Sequence, residues 1–82
     1  MPYIEPEARK RFDRWIDALV CLPLSLGELN YVITKLLLAT KPRSYTDYDA
    51  LIGVLECVKL EFYRRAVVLY EDTKKEENGD VY

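Results

Sequence analysis

The longest periodic pattern of apolar positions in the chain runs from Thr46 to Asp72. It contains no proline and a single glycine, Gly53. Its apolar residues recur at the spacings that define one face of a helix: Tyr48, Leu51, Leu55, Val58, Phe62, Ala66 and Leu69. We expect Thr46 or Asp47 to cap the start, because a short side-chain oxygen accepts hydrogen bonds from the free N–H groups of the first turn. The pattern predicts a helix of roughly 40 Å.

A shorter amphipathic pattern opens the chain. It begins at Pro6, which suits a first helical turn because the N–H that proline lacks would be unpaired there, and it continues to about Val20. The sequence Leu22-Pro23-Leu24 ends this helix, since proline disfavours a helical conformation in the residue before it. The apolar face includes Trp15, which we expect to be largely buried.

A second helix is predicted from Ser25 to Thr40. Ser25 and Glu28 have the spacing of a capping box, in which each side chain satisfies a free N–H of the other residue. The helix is apolar over most of its circumference, so we expect it to be buried on more than one face. Lys41-Pro42-Arg43-Ser44 separates it from the long third helix.

These patterns predict an all-α protein with an up-down-up three-helix unit and a long third helix, because short connections favour antiparallel neighbours. We expect residues 1–72 to form a single helical domain and residues 73–82 to form a charged C-terminal tail. The third helix is longer than the other two, and its overhang is residues 63–72. Burying four apolar side chains of this overhang is worth roughly 6 kcal/mol. We therefore expect a helical homo-oligomer. The alternative is that the chain bends near Arg65 and folds its end back.

Phe62 and the overhang together supply the predicted oligomer interface. The apolar and aromatic residues of the overhang lie on several sides of the helix. A domain of this size has a small free energy of unfolding, so leaving these side chains in water would cost a large part of it. The interface residues are Phe62, Ala66, Val67, Leu69 and Tyr70.

Composition and charge indicate which classes of protein and partner fit the sequence. Half of the 82 residues are hydrophobic and 32% are charged, which is globular rather than disordered composition. The net charge of −2 does not favour nucleic-acid binding. No apolar segment reaches about 18 residues, so we expect a cytoplasmic protein with no membrane partner. The absence of histidine removes the commonest metal ligand and the usual general base, and we expect no metal and no cofactor.

Three residues of the second helix are candidates for ligand binding. Asn30 lies on the apolar stripe, where a buried amide needs either a bond to a neighbouring helix or a ligand. It could instead fix the register of helix pairing. Tyr31 and Lys35 lie one turn apart, and an aromatic ring with a cation so placed can hold an anionic or planar ligand. The alternative is an ordinary solvated helix face.

The sequence Tyr63-Arg64-Arg65 is a sharper candidate. Arginine offers a rigid fork of donors that suits phosphate and carboxylate groups, and the tyrosine could stack on a base. In the alternative interpretation Arg65 pairs with Glu61 on the same helix and Arg64 faces solvent. Neither Cys21 nor Cys57 has a histidine to activate it, so we predict no catalytic residue and no enzyme.

Several longer motifs resemble a small uncharacterised family that carries the label of a domain of unknown function. They are the sequences GELNY at 27–31 and LEFYRR at 60–65, and the ending YED at 70–72 with ENGDVY at 77–82. The resemblance spans most of the chain and implies a phage, prophage or bacterial protein. It carries no established chemistry. Relatives tend to have proline where Leu69 stands, which would end the helix there and make the following residues an ordered arm.

Two functions from different classes agree with these observations. The first is a non-enzymatic homo-oligomer that holds an anionic, nucleotide-like ligand at subunit junctions and so sequesters a signalling molecule. The second is a protein-interaction or structural accessory module, whose apolar helix end and charged tail dock on a host or viral protein without a small-molecule ligand. A thermal melt with a panel of nucleotides separates them, because a ligand that binds only the folded state stabilises it.

Overall fold

The computed structural model describes residues 3–82 as helices and connecting segments, with no strand among them. Helix α1 spans Pro6–Val20, α2 spans Leu26–Ala39, α3 spans Tyr45–Phe62, and α4 spans Val68–Asn78. A π-helical turn, Tyr63–Val67, joins α3 to α4. The segment 45–78 is therefore helical throughout. This confirms the predicted all-α class with a long third helix.

The chain divides into two units between Lys41 and Pro42. The first unit contains α1 and α2, which are not packed closely against one another. The second unit contains the long helical segment 45–78 and the residues after it. The single domain over residues 1–72 and the homo-oligomer stay predictions.

The capping box at the start of α2 is confirmed. The Ser25 hydroxyl accepts a hydrogen bond from the Glu28 backbone N–H at 3.1 Å, and a Glu28 carboxylate oxygen accepts one from the Ser25 N–H at 2.8 Å. Two N–H groups at the helix start, which have no partner within the helix, are thereby satisfied. The same bonds hold the pKa of the Glu28 carboxyl below its ordinary value, the backbone bond to Ser25 being the main cause.

The start of α3 corrects the prediction that Thr46 or Asp47 caps it. The cap is Ser44, whose hydroxyl accepts from the Asp47 N–H at 3.2 Å. The Asp47 carboxylate accepts in return from the Ser44 N–H at 3.3 Å and from the Arg43 N–H at 3.0 Å. Asp47 is thus the third helical residue of a capping box, not the cap itself. Ser44 is the cap because it has the extended backbone conformation that this position needs.

The helix ends at Asn78, not at Asp72, so the first part of the predicted charged tail is helical. Ion pairs one turn apart stabilise such a helix without a core, and Lys74 and Glu77 form one at 3.2 Å. Gly79 ends α4 with a positive φ of 82°, and its N–H donates to the Lys75 carbonyl at 2.8 Å.

Helical backbone through residues 63–78 also excludes two of the alternatives. The chain does not fold back near Arg65, and the residues after Leu69 are not an extended arm. In this chain position 69 carries a leucine with a backbone N–H, so the helix continues where a proline would end it.

No residue in the described part of the chain is buried. The prediction that Trp15 is largely buried is therefore wrong, because its side chain is 63% exposed. Asn30 is exposed as well, and α2 has only two half-buried residues, Val32 and Leu37. The physical reason in this unit is that α1 and α2 leave their apolar faces uncovered.

Candidate functional site

The sequence Tyr63-Arg64-Arg65 opens the π-helical turn. The Val68 N–H donates to the Tyr63 carbonyl, five residues back, where an α-helix would use a carbonyl four residues back. Such turns add one residue to a helix and occur frequently at functional sites. The strongest candidate from the sequence thus coincides with a break in α-helical regularity.

Glu61 brings the two arginines together. The Arg65 Nε donates to Glu61 Oε2 at 2.6 Å, and the Arg64 Nη2 approaches Oε1 at 3.1 Å and Oε2 at 3.3 Å. The Glu61 side chain is only 17% exposed, whereas those of Arg64 and Arg65 are 61% and 57% exposed. The Glu61 side chain is therefore largely shielded from solvent, whereas the two arginine side chains that bind it remain accessible to water. We call Glu61, Arg64 and Arg65 the arginine cluster.

The electrostatics of the arginine cluster follow from this geometry. Hydrogen bonds from Arg65 and, second, from Arg64 hold the pKa of the Glu61 carboxyl below its ordinary value of 4.5. Glu61 therefore stays ionised at neutral pH and keeps two like charges near each other. The pairing of Glu61 with Arg65, which was the alternative interpretation, is present. Its pairing with Arg64 was not predicted, although a spacing of three residues could have indicated it.

A second set of candidates lies on α2. The Lys35 ammonium is 5.9 Å from the centroid of the Tyr31 ring, within the range of a cation–π interaction. Beside it, the Thr34 hydroxyl donates to the Asn30 side-chain oxygen at 3.3 Å. Asn30 is thus an exposed amide with a partner on its own helix, which corrects the expectation of a buried one. Thr34 was missed by the sequence reasoning. We call these four residues the α2 cluster.

The candidates therefore form two groups in two units. The arginine cluster and Tyr63 belong to the second unit, and the α2 cluster belongs to the first. Each contact within a group joins residues three or four positions apart in the same helical segment, which is the spacing at which helical side chains meet.

The predicted oligomer interface is accessible in the single chain. Phe62 is 65% exposed, and the interface residues of α4 are exposed too. Val67 is half-buried, and the Lys74 ammonium lies 5.7 Å from the centroid of the Tyr70 ring. Apolar side chains of this size in water are a surface that a partner could cover.

Other kinds of site have less support. In residues 3–82, no group of three or more Cys, Asp and Glu side chains is arranged to hold a metal ion. Cys21 and Cys57 are free, exposed thiols. Across the same residues, every helix is too short or too polar to cross a membrane.

Comparison with known proteins defines the family. No curated protein and no solved structure matches the chain significantly. One family model matches nearly the whole of it and confirms the resemblance to an uncharacterised family. Over residues 1–81, the chain belongs to the family described as a domain of unknown function, DUF6899.

Proposed function

We propose that this protein is a small, non-enzymatic, homo-oligomeric binding protein of phage or prophage origin that holds an anionic, nucleotide-like ligand at subunit junctions. The observation that carries the proposal is that Arg64 and Arg65 converge on the Glu61 carboxylate while both arginine side chains stay more than half exposed. Two guanidinium groups that share one anion provide the charge and the donor geometry that a phosphate group requires.

The exposure of the arginine cluster supports a ligand beyond Glu61. A guanidinium carries five N–H donors, and Arg64 is bound to Glu61 through its Nη2 alone among its nitrogens. A phosphate group can therefore bind exposed nitrogens of the arginine cluster. Glu61 keeps the two guanidinium groups in position through its hydrogen bonds to them. Tyr63, which precedes them and is exposed, offers a ring on which a base can stack.

The α2 cluster supplies a second recognition element of the same chemical kind. Tyr31 presents an exposed ring, and Lys35 adds a positive charge at its face. Asn30 and Thr34 add hydrogen-bonding groups next to them. A ring, a cation and an amide together suit a ligand that has both a planar base and an anionic group. In an oligomer each group of residues is repeated, so the ligand is held at the junctions.

A thermal melt with cyclic and linear nucleotides tests the proposal. A ligand at about 100 times its Kd stabilises the folded state by roughly 2.7 kcal/mol, which raises Tm. The double variant Arg64→Gln/Arg65→Gln should lose this rise. Lys74→Gln/Lys75→Gln is the matched control, because it removes the same charge from the same helical segment outside the cluster. No rise with any nucleotide, or an equal loss in the control, would contradict a specific anion site.

The second candidate, a protein-interaction module, is favoured by one observation. The end of the long helical segment carries exposed apolar residues, Leu69 and Tyr70, directly before the segment 71–77, in which every residue except Thr73 is charged. Such a surface suits a host or viral protein partner as well as a second subunit. Native mass spectrometry of freshly purified protein distinguishes the two candidates, because it reports the subunit number and any bound small molecule together.

A further inference from the structure

The π-helical turn changes which residues continue the apolar face of α3. On that face, apolar residues alternate at spacings of three and four: Tyr48, Leu51, Leu55, Val58 and Phe62. A continuous α-helix would extend the face through Ala66 and Leu69. A π-helical turn contains one additional residue, so each position after it corresponds to the preceding position of a continuous α-helix. Val67 and Tyr70 therefore follow Phe62 on the face.

Side-chain exposure agrees with this shift at Val67, whereas Tyr70 and Leu69 are about equally exposed, at 63% and 64%. Ala66 and Leu69 are exposed, whereas Val67 is half-buried. Within the segment 45–78, all the apolar side chains that are half-buried lie on the shifted face: Leu51, Leu55 and Val67. We call the complete set the shifted face: Tyr48, Leu51, Leu55, Val58, Phe62, Val67 and Tyr70.

We propose that a second copy of the same helical segment packs on the shifted face. This inference depends on the homo-oligomer in the proposed function, and it identifies the surface through which the subunits contact each other. Covering one such side chain removes about 60–120 Å² from water. Leu51, Leu55 and Val67 contribute less than this because they are already half-buried. The seven side chains then bury at most roughly 600 Å² on each copy and roughly 1,200 Å² in total, which is the lower limit for a specific protein–protein interface.

The limits of the shifted face favour a second copy as its partner. From Tyr48 to Tyr70 the face is about 33 Å long. It is bordered by charge at both ends: Asp47 lies before Tyr48, and Lys74, which is paired with Glu77, lies over the ring of Tyr70. A partner needs an apolar strip of equal length, and a second copy provides it through an isologous contact, in which both subunits use the same surface.

The shifted face also relates the assembly to the arginine cluster. Glu61 directly precedes Phe62, so it lies at the edge of the face and not within it. A second copy packed on Phe62 would leave the arginines of both subunits at the border of the contact. Charges at such flanking positions are compatible with helix pairing and remain available to a ligand.

Two matched pairs of substitutions test the interface. Val67→Glu and Tyr70→Glu place a charge on the shifted face and should convert the oligomer to monomers. Ala66→Glu and Leu69→Glu place the same charge one position earlier and should keep the parent subunit number. Sedimentation velocity measures the subunit number, and far-ultraviolet circular dichroism confirms that each variant is helical. A monomeric parent protein, or dissociation by the second pair with the first pair tolerated, would overturn the inference.

Deletion of Ala66 provides a test that introduces no charge. The deletion removes one residue from the π-helical turn, and Val67 and Tyr70 then follow Phe62 at ordinary α-helical spacings. The shifted face becomes regular, so the subunit number should be unchanged. A helical but monomeric deletion variant would show that the face depends on another arrangement and would overturn the inference.

Nucleotide melts on the same proteins separate this inference from the proposed ligand. If Val67→Glu dissociates the oligomer and Leu69→Glu does not, the interface is correct even when no nucleotide raises Tm, and only the ligand proposal fails. If nucleotides raise Tm of a protein that is monomeric at every concentration, the ligand proposal holds and the interface is wrong.

Discussion

Replacing Gly53 by alanine should stabilise the protein. Gly53 lies in the interior of α3, where glycine is less favourable than alanine by about 1 kcal/mol because it loses more backbone freedom on folding. A Cβ atom added at this position would meet nothing within 4 Å, so no contact opposes the gain. For a domain of this size, 1 kcal/mol corresponds to a rise in Tm of about 4–8 °C.

The reverse substitution is the matched control. Ala50 is an exposed residue of the same helix, so Ala50→Gly should lower stability by a similar amount. Both variants are compared with the parent by thermal melts followed by circular dichroism at two protein concentrations, since assembly makes Tm depend on concentration. Gly53 lies between Leu51 and Leu55 in sequence and so on the side opposite the shifted face. A lower Tm for Gly53→Ala would refute the reasoning, because it would show that another chain packs where the structure leaves open space.

Three other perturbations address single contacts. Ser44→Ala removes the oxygen that accepts from the Asp47 N–H and should cost about 1 kcal/mol in thermal unfolding, whereas Thr46→Ala should cost clearly less because Thr46 is not the cap. The lowered pKa of Glu61 means that its ion pairs stabilise the folded state above about pH 4.5 and lose that effect as the pH falls through the lower folded-state pKa. The Tm of the Glu61→Gln variant should therefore fall less on acidification than that of the parent. An equal fall in Tm would show that the Glu61 ion pairs are not the cause of this pH dependence. Asn30→Leu should weaken nucleotide binding, because it removes the amide that accepts from Thr34 in the α2 cluster, and a variant that binds as the parent does would remove Asn30 from the site.

The sequence by itself determined the helices and part of their ends. Apolar spacing located α1, α2 and the long helical segment, because side chains three and four positions apart lie on the same face of a helix. The capping box at Ser25 was predicted for the same reason, since its two bonds join residues three positions apart. The candidate sequence Tyr63-Arg64-Arg65 and its ion pair with Glu61 were also local, and the structure contains them.

The cap of α3 and the π-helical turn could be identified only from the structure, because the sequence is compatible with more than one local arrangement at each place. Both Ser44 and Thr46 are common capping residues, and the reciprocal bonds with Asp47 selected Ser44. The π-helical turn was not predicted, because it differs from an α-helical turn by a single inserted residue and no residue type specifies it. Its consequence is large, since it replaces Ala66 and Leu69 by Val67 and Tyr70 on one face of the helix.

Burial was the property that sequence pattern predicted least well. Apolar spacing assigned Trp15 and Asn30 to apolar helix faces, yet both are exposed. A pattern defines which side chains share a face, but burial requires another element against that face, and this depends on contacts between residues far apart in sequence. Local spacing therefore determined the helices of this protein, whereas only the tertiary structure decided burial, and within residues 3–82 it leaves no residue fully buried.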